Sequence, residues 1–258
     1  MDTKAYAMPN CKICGGLGRV RTGEGITDWE VCPCAIAGQR LRSAEKTLKR
    51  VLPPRALAMT LASFETGGIA QNERALLAAR NFVDNYLRAA EEGWIMGFWG
   101  PPRSGKTHLA VAVLQACTRR FSIQPMLLNL PKALQEERER FHDRSRPSPL
   151  REAAKADLLV LDDLGAQYER QGVDTTRVSW VSEQLYNLLD ERILHNRPLI
   201  YTTNLSPSDL ERRLDNEQGR RVLGRLQEGE IAALELLPVP GLRDERHSEA
   251  KELLFAQR

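Results

Sequence analysis

Apolar positions along this chain follow two rhythms in turn. Between Ile36 and Leu52 they fall at Ile36, Leu41, Ala44, Leu48 and Val51, the spacing of a helix face. Arg40, Arg42, Lys46, Lys49 and Arg50 are left for the other faces. Pro53-Pro54 ends this helix, because proline has no backbone N–H and clashes with the preceding turn. Gln71 to Glu92 is helical in the same way, with Leu76, Ala79, Phe82, Val83, Tyr86 and Leu87 inward. The rhythm then shortens. Trp94 to Trp99, Met126 to Leu130, Leu158 to Leu161, Leu199 to Thr203 and Ala232 to Leu237 are brief, mostly apolar runs that predict buried strands.

Helical stretches separate these runs. Lys106 to Arg120 is apolar nearly all round, which predicts a helix covered on every side. Pro131 to Phe141 is a charged helix, and Arg144 to Pro149 a polar loop. Val178 to His195 turns Val181, Leu185, Leu188 and Leu189 inward, and another helix starts near Ser206. Strands alternating with helices predict an α/β fold, a parallel sheet with helices on both faces. Residues 1–35 show neither rhythm and predict a small loop-rich module, with Gly15, Gly16, Gly18, Gly23, Gly25 and Pro33. The expected organisation is a module with a basic helix over 1–51 and a larger domain over 52–258.

Composition adds limits. A chain of 258 residues, 42% hydrophobic and 28% charged, can bury a core without disulfide staples. No apolar run approaches the roughly 18 residues of a membrane helix, and the N-terminus lacks the apolar core of a signal peptide. A cytoplasmic location without membrane contact is therefore expected. Net charge is only +3, yet residues 1–60 hold ten Lys and Arg against five Asp and Glu. A basic N-terminal piece suits nucleic acid or an acidic partner as well as it suits plain solvation.

The chemistry concentrates at the strand ends. Gly100-Pro-Pro-Arg-Ser-Gly105-Lys106-Thr107 matches the phosphate-loop pattern in full, directly after a strand and before a helix. Gly100 and Gly105 let the backbone curl so that N–H groups face phosphate oxygens. The helix N-terminus adds partial positive charge. Lys106 is expected to reach the β- and γ-phosphates of ATP, and Thr107 to offer its hydroxyl to Mg²⁺. Asp162 and Asp163 leave the next buried strand at the edge where ligands bind in such sheets. Asp162 is expected to hold Mg²⁺ and Asp163 to orient or activate the attacking water. Asn204 ends the following strand at the same edge, placed either for the γ-phosphate and water or for capping the helix after it. The nucleotide-binding set is thus Gly100, Pro101, Pro102, Arg103, Ser104, Gly105, Lys106, Thr107, His108 and Asp162.

Four of the five cysteines lie near the N-terminus, as Cys11-x-x-Cys14 and Cys32-Pro-Cys34. Two close pairs supply the four thiolates that tetrahedral Zn²⁺ takes, although C-x-C is the less usual spacing. Free or redox thiols are the alternative. Cys117, alone on an apolar helix, is expected to fill the core.

The chain resembles the DnaC/IstB-type AAA+ ATPases, which include helicase loaders and transposition helper ATPases. The resemblance rests on Leu52-Pro-Pro-Arg55, Leu61-Ala-Ser-Phe64, Gly97 to Ala110, Ala156-Asp-Leu-Leu-Val-Leu-Asp-Asp-Leu-Gly165, Thr202-Thr-Asn-Leu-Ser-Pro207 and Arg220-Arg-Val-Leu-Gly-Arg-Leu226. It implies an ATPase that binds single-stranded DNA and a replicative helicase. It also implies self-association, with an arginine from one subunit completing its neighbour's site. Arg225 best matches that finger, with Arg221 next, although Gly224 stands where the family has serine. Arg243 or Arg246 is the implied second sensor. Some loaders of this kind carry a small zinc module that grips the helicase. A transposase helper of the IstB type is the nearest alternative reading. A small-molecule kinase or GTPase is the remote one, since the chain has no Asn-Lys-x-Asp guanine signature.

Overall fold

The computed structural model describes residues 3–240 apart from 24, 26, 141–142, 144, 167–174 and 215–216. The glycine-rich start contains more order than its lack of rhythm predicts. A 3-10 turn, Thr3–Tyr6, precedes a two-stranded antiparallel ribbon of β1 (Arg19–Arg21) and β2 (Trp29–Val31). Strands of three residues are too short to display an alternation. Gly18, at φ 72°, passes so near the Thr3 carbonyl that a Cβ would sit 2.2 Å from its oxygen, so only glycine fits there.

Helix α1 (Pro33–Val51) starts on the ribbon and ends in the main core. Its buried stripe is Ala35, Ala44 and Leu48, while Ile36 and Leu41 are exposed, a correction to the expected face. Leu48 and Leu52 join the large apolar cluster, and Arg119 pairs with Glu45 at 2.6 Å. The Leu52 N–H closes the last turn on Leu48, and Pro54 opens the one-turn α2 (Pro54–Leu57).

The single helix expected over 71–92 is two, α3 (Ala70–Asp84) and α4 (Tyr86–Glu92). Asn85 leaves helical geometry at φ −104°, ψ 20°, and its Nδ2 donates to the Asn81 carbonyl at 2.8 Å. A side-chain amide that competes for a helical carbonyl loosens the helix. The break rotates the following turn, so Tyr86 stays buried but Leu87 points outward, contrary to expectation.

The remaining elements are β3 (Ile95–Trp99), α5 (Lys106–Phe121), β4 (Pro125–Asn129), α6 (Leu130–Glu139), α7 (Pro149–Lys155), β5 (Leu158–Asp162), α8 (Thr175–Leu194), β6 (Leu199–Thr203), α9 (Pro207–Arg213), α10 (Glu217–Gly229) and β7 (Glu230–Glu235). The five later strands form one parallel sheet in the order β4-β5-β6-β3-β7. Strand residues alternate between two cores, as the pleat requires. Met96, Phe98, Leu158, Val160 and Ile200 face α3, α5 and the end of α1. Ile95, Leu159, Leu161, Leu199 and Tyr201 face α6 to α10. Helix α5 is buried over most of its surface, as its all-round apolar sequence predicts, and Cys117 lies in that core.

One buried charge holds the second layer. Arg192 is 1% exposed, and its guanidinium donates to the carbonyls of Ala153 (2.6 Å), Ala156 (2.9 Å) and Pro198 (2.6 Å). It thereby satisfies carbonyls at the end of α7 that no helical N–H reaches. No described helix is long and apolar enough to cross a membrane.

Candidate nucleotide site

Strand β3 lies between β6 and β7, and the chain leaves it through residues 100–105 into α5. The turn needs its glycines. Gly100 adopts φ 139°, where a Cβ would meet the Leu236 carbonyl oxygen at 2.1 Å, and Gly105 adopts φ 91° against the Phe64 ring. Arg103 also has positive φ, 69°, which costs a side-chain-bearing residue about 1–2 kcal/mol. Within this loop Lys106 is 5% exposed, and its ammonium donates to the carbonyls of Gly100 (2.9 Å) and Pro101 (2.8 Å). Burial lowers its pKa, while the charges of Asp163 and Asp162 act in the opposite direction. The first backbone bond of α5 runs from Leu109 to Gly105, so the earlier N–H groups of the turn have no helical acceptor. N–H groups without helical acceptors, a helix N-terminus and a buried ammonium together make a phosphate cradle.

The acidic strand end comes to this cradle across β6. Asp162 Oδ1 accepts from Thr107 Oγ1 at 2.8 Å and from Thr202 Oγ1 at 2.7 Å. Its carboxylate and the Thr107 hydroxyl are therefore already together, as joint binding of a hard cation such as Mg²⁺ requires. Asp163 follows in the left-handed region at φ 63°, pinned by its N–H to Thr202 Oγ1 at 3.1 Å. Sequence reasoning missed its partner on the neighbouring strand. Asn129 Nδ2 donates to Asp163 Oδ2 at 3.2 Å, while its own Oδ1 caps α6 through the Lys132 N–H. Asn129 pairs in register with Asp162, so a polar residue ending the adjacent strand was the available signal.

Other expected residues separate. Asn204 is exposed at the end of β6, and the cap of α9 is Ser206, whose Oγ accepts from Asp209 N–H. Asn204 is therefore not the capping residue. His108 turns from the loop toward residues 60–64, with Nε2 3.0 Å from the Thr60 carbonyl oxygen and its ring edge-on to Phe64 at 5.4 Å. Arg225 lies on α10 against α8, where it donates to the Tyr186 hydroxyl at 3.4 Å and pairs with Glu228 and Asp190 at 2.6 Å each; the Tyr186 contact first, then Glu228 and Asp190, raise its pKa. Arg221 lies 4.2 Å over the Tyr186 ring. Arg243 and Arg246 lie outside the described residues.

The four N-terminal cysteines converge at the foot of α1. Their sulfur atoms all lie within 4.8 Å of one another, with Cys11 to Cys32 at 3.8 Å and Cys14 to Cys34 at 3.5 Å. Tetrahedral zinc with about 2.3 Å bonds holds its sulfurs about 3.8 Å apart, so the donor set fits the metal. Cys32 is the N-cap of α1, and the Gly18 N–H donates to Cys14 Sγ at 3.3 Å. The Gly18 N–H suits a thiolate at Cys14, whereas the Cys32 side chain makes no capping bond to α1.

Residues 96–224, from β3 into α10, match the family model described as the ATPase family associated with various cellular activities. The chain belongs to the AAA family of ATPases. As an AAA protein it binds and hydrolyses ATP, a reaction that draws on Mg²⁺, and the cradle and acidic strand end described above lie inside the matched region. Among curated proteins, the chain is 25% identical over 229 residues to the phage-like element PBSX protein XkdC of Bacillus subtilis, spanning 86% of this chain and 80% of that protein. It is 28% identical over 123 residues to an insertion-sequence ATP-binding protein of Mycobacterium tuberculosis, covering 48% of this chain and 45% of the relative. Among solved structures, it is similar to the DnaC helicase loader with a TM-score of 0.59 and 27% identity, over 72% of this chain and all of that one.

Proposed function

We infer that this AAA ATPase is a helicase loader, which binds a replicative helicase and single-stranded DNA and uses the state of its nucleotide to time release. The observation that carries the reading is the likeness to DnaC, which extends over the whole of that chain. The cysteine module adds to it, being a small head on a basic helix whose far end is buried in the ATPase core. Residues 1–51 then serve as the partner-binding unit and 52–258 as the ATPase unit. A transposase-helper role is favoured by one observation, the insertion-sequence relative. The test is capture of host proteins by the tagged full-length chain with ATP present. A replicative helicase among them, with ATP turnover that responds to single-stranded DNA, supports loading. A transposase in its place assigns the helper role.

In the ATPase site, Lys106 and the loop N–H groups neutralise and orient the phosphates. Thr107 and Asp162 hold Mg²⁺, which draws charge from the phosphoryl oxygens when bound. Asp163 accepts the proton of the attacking water, with Asn129 aiming its carboxylate and Asn204 placed to orient the water or the terminal phosphate. Asp163→Asn keeps the shape, tolerates the left-handed backbone and can still accept from Asn129. ATP binding is expected to persist while turnover falls at least about tenfold. Equilibrium binding and phosphate-release assays on one preparation check both halves, and unchanged turnover would move the base elsewhere.

Cys11, Cys14, Cys32 and Cys34 hold one Zn²⁺ per chain. Structural zinc supplies about 10–16 kcal/mol of folding free energy in small modules. Chelation is therefore expected to unfold residues 1–35 and leave ATP binding intact, because Leu48 and Leu52 tie α1 to the core independently. Elemental analysis of chelator-free protein, with hydrogen exchange before and after chelation, reads both effects. Absence of stoichiometric zinc would remove the assignment.

A further inference from the structure

The ATPase site makes no use of the β1–β2 ribbon. Its register sets Arg19 opposite Val31 and Arg21 opposite Trp29, so these four side chains share one face. The other face takes Val20 and Glu30, the one acidic residue of the two strands. All four residues of the first face are exposed, Trp29 by 39%, whereas Phe82 and Phe98 are at most 2% exposed in the core. The Arg19 guanidinium lies over the Trp29 indole, 4.8 Å from its centroid. Arg21 Nε donates to the Gly23 carbonyl at 2.9 Å, which holds that side chain beside the turn.

We propose that this face is a single-stranded DNA contact, in which Trp29 stacks on a base and Arg19 and Arg21 hold the flanking phosphates. The proposal rests on the reading that the protein binds single-stranded DNA and says where. An exposed indole offers a stacking surface that accepts any base, and two guanidinium groups on the same face neutralise the backbone on either side. The stack of Arg19 on Trp29 already orders both side chains, so less conformational entropy is lost on binding. A protein partner fits this face less well. Stable protein interfaces bury about 800 Å² on each side, and here only Trp29 and Val31 are apolar between two cations. The excess of basic over acidic residues in 1–60 has the sign that DNA requires.

The test is fluorescence anisotropy of a labelled oligothymidylate with the zinc-loaded full-length chain, at two salt concentrations. Trp29→Ala is expected to weaken binding roughly five- to hundredfold, Trp29→Phe to recover most of it, and Arg19→Ala with Arg21→Ala to flatten the salt dependence. Zinc content and melting temperature equal to wild type show that each variant is folded. A wild-type chain that binds DNA and a folded Trp29→Ala that binds equally well would overturn this placement and leave the DNA-binding reading standing. A wild-type chain that does not bind at all defeats both. Unchanged DNA binding with loss of helicase capture assigns the face to a protein instead.

Discussion

Lys106→Ala is expected to weaken ATP binding by about 10–100-fold or more and to bring hydrolysis to background. The ammonium is the buried cation of the cradle, and backbone dipoles alone do not balance the charge of a triphosphate. The same substitution should cost the fold little. The groups it leaves behind are the Gly100 and Pro101 carbonyls and the Ser104 hydroxyl, none of them a charge. A neutral buried group of this kind left unsatisfied costs about 1–3 kcal/mol at most, and removing an ammonium that burial penalises offsets part of the sum. Isothermal titration with ATP, beside a thermal melt without it, separates the two effects. Wild-type affinity in the variant would remove Lys106 from the phosphate site.

The site was legible to the extent that one short segment encodes each part. The phosphate loop carries its glycines, lysine and threonine within eight residues, and Asp162 and Asp163 are adjacent at a strand end. The sheet was legible because β3, β5 and β6 are buried on both faces, and edge strand β4 partly so, which leaves them mostly apolar in sequence. Hidden from the sequence were the contacts between segments distant in the chain. Asn129 reaches Asp163 only because β4 and β5 pair in register, and the one local signal, a polar residue ending its strand, reads equally as a plain helix cap. His108 is adjacent to the loop in sequence, but the helical turn carries its ring to Thr60 and Phe64.

The errors in the helices have local causes. At Asn85 the apolar period continues across a break that an amide side chain creates, so the phase of Leu87 was misread. In α1 the buried stripe runs through Ala35, Ala44 and Leu48, and Ile36 and Leu41, the larger apolar residues, lie off it, so residue size pointed to the wrong face. The ribbon escaped notice for a different reason. Its strands are exposed on most positions, so burial leaves no imprint on their sequence.

Arg225→Ala is expected to bind ATP normally and to hydrolyse it at least about a hundredfold more slowly, below the 10³–10⁵ of the strongest fingers because loaders are slow switches. Arg225 lies on the sheet face away from α5, held by Asp190 and Glu228 of its own chain. It is proposed to reach the γ-phosphate of a neighbouring subunit, which requires it to leave those carboxylates. That release is inexpensive, because both pairs are partly exposed and such pairs are worth about 0–1 kcal/mol each. A finger that accelerates turnover a hundredfold contributes about 2.7 kcal/mol, so the exchange favours the transition state. The planar, permanently charged guanidinium suits charge spread over several phosphoryl oxygens. Mixing Arg225→Ala with Lys106→Ala should partly restore hydrolysis, because some interfaces then join one intact phosphate loop to one intact arginine. A titration of one variant into the other, with mixed assembly verified by native mass spectrometry, reads this directly. A mixture as inactive as either parent would exclude Arg225 and direct attention to Arg221, one helical turn away on the same Tyr186 ring.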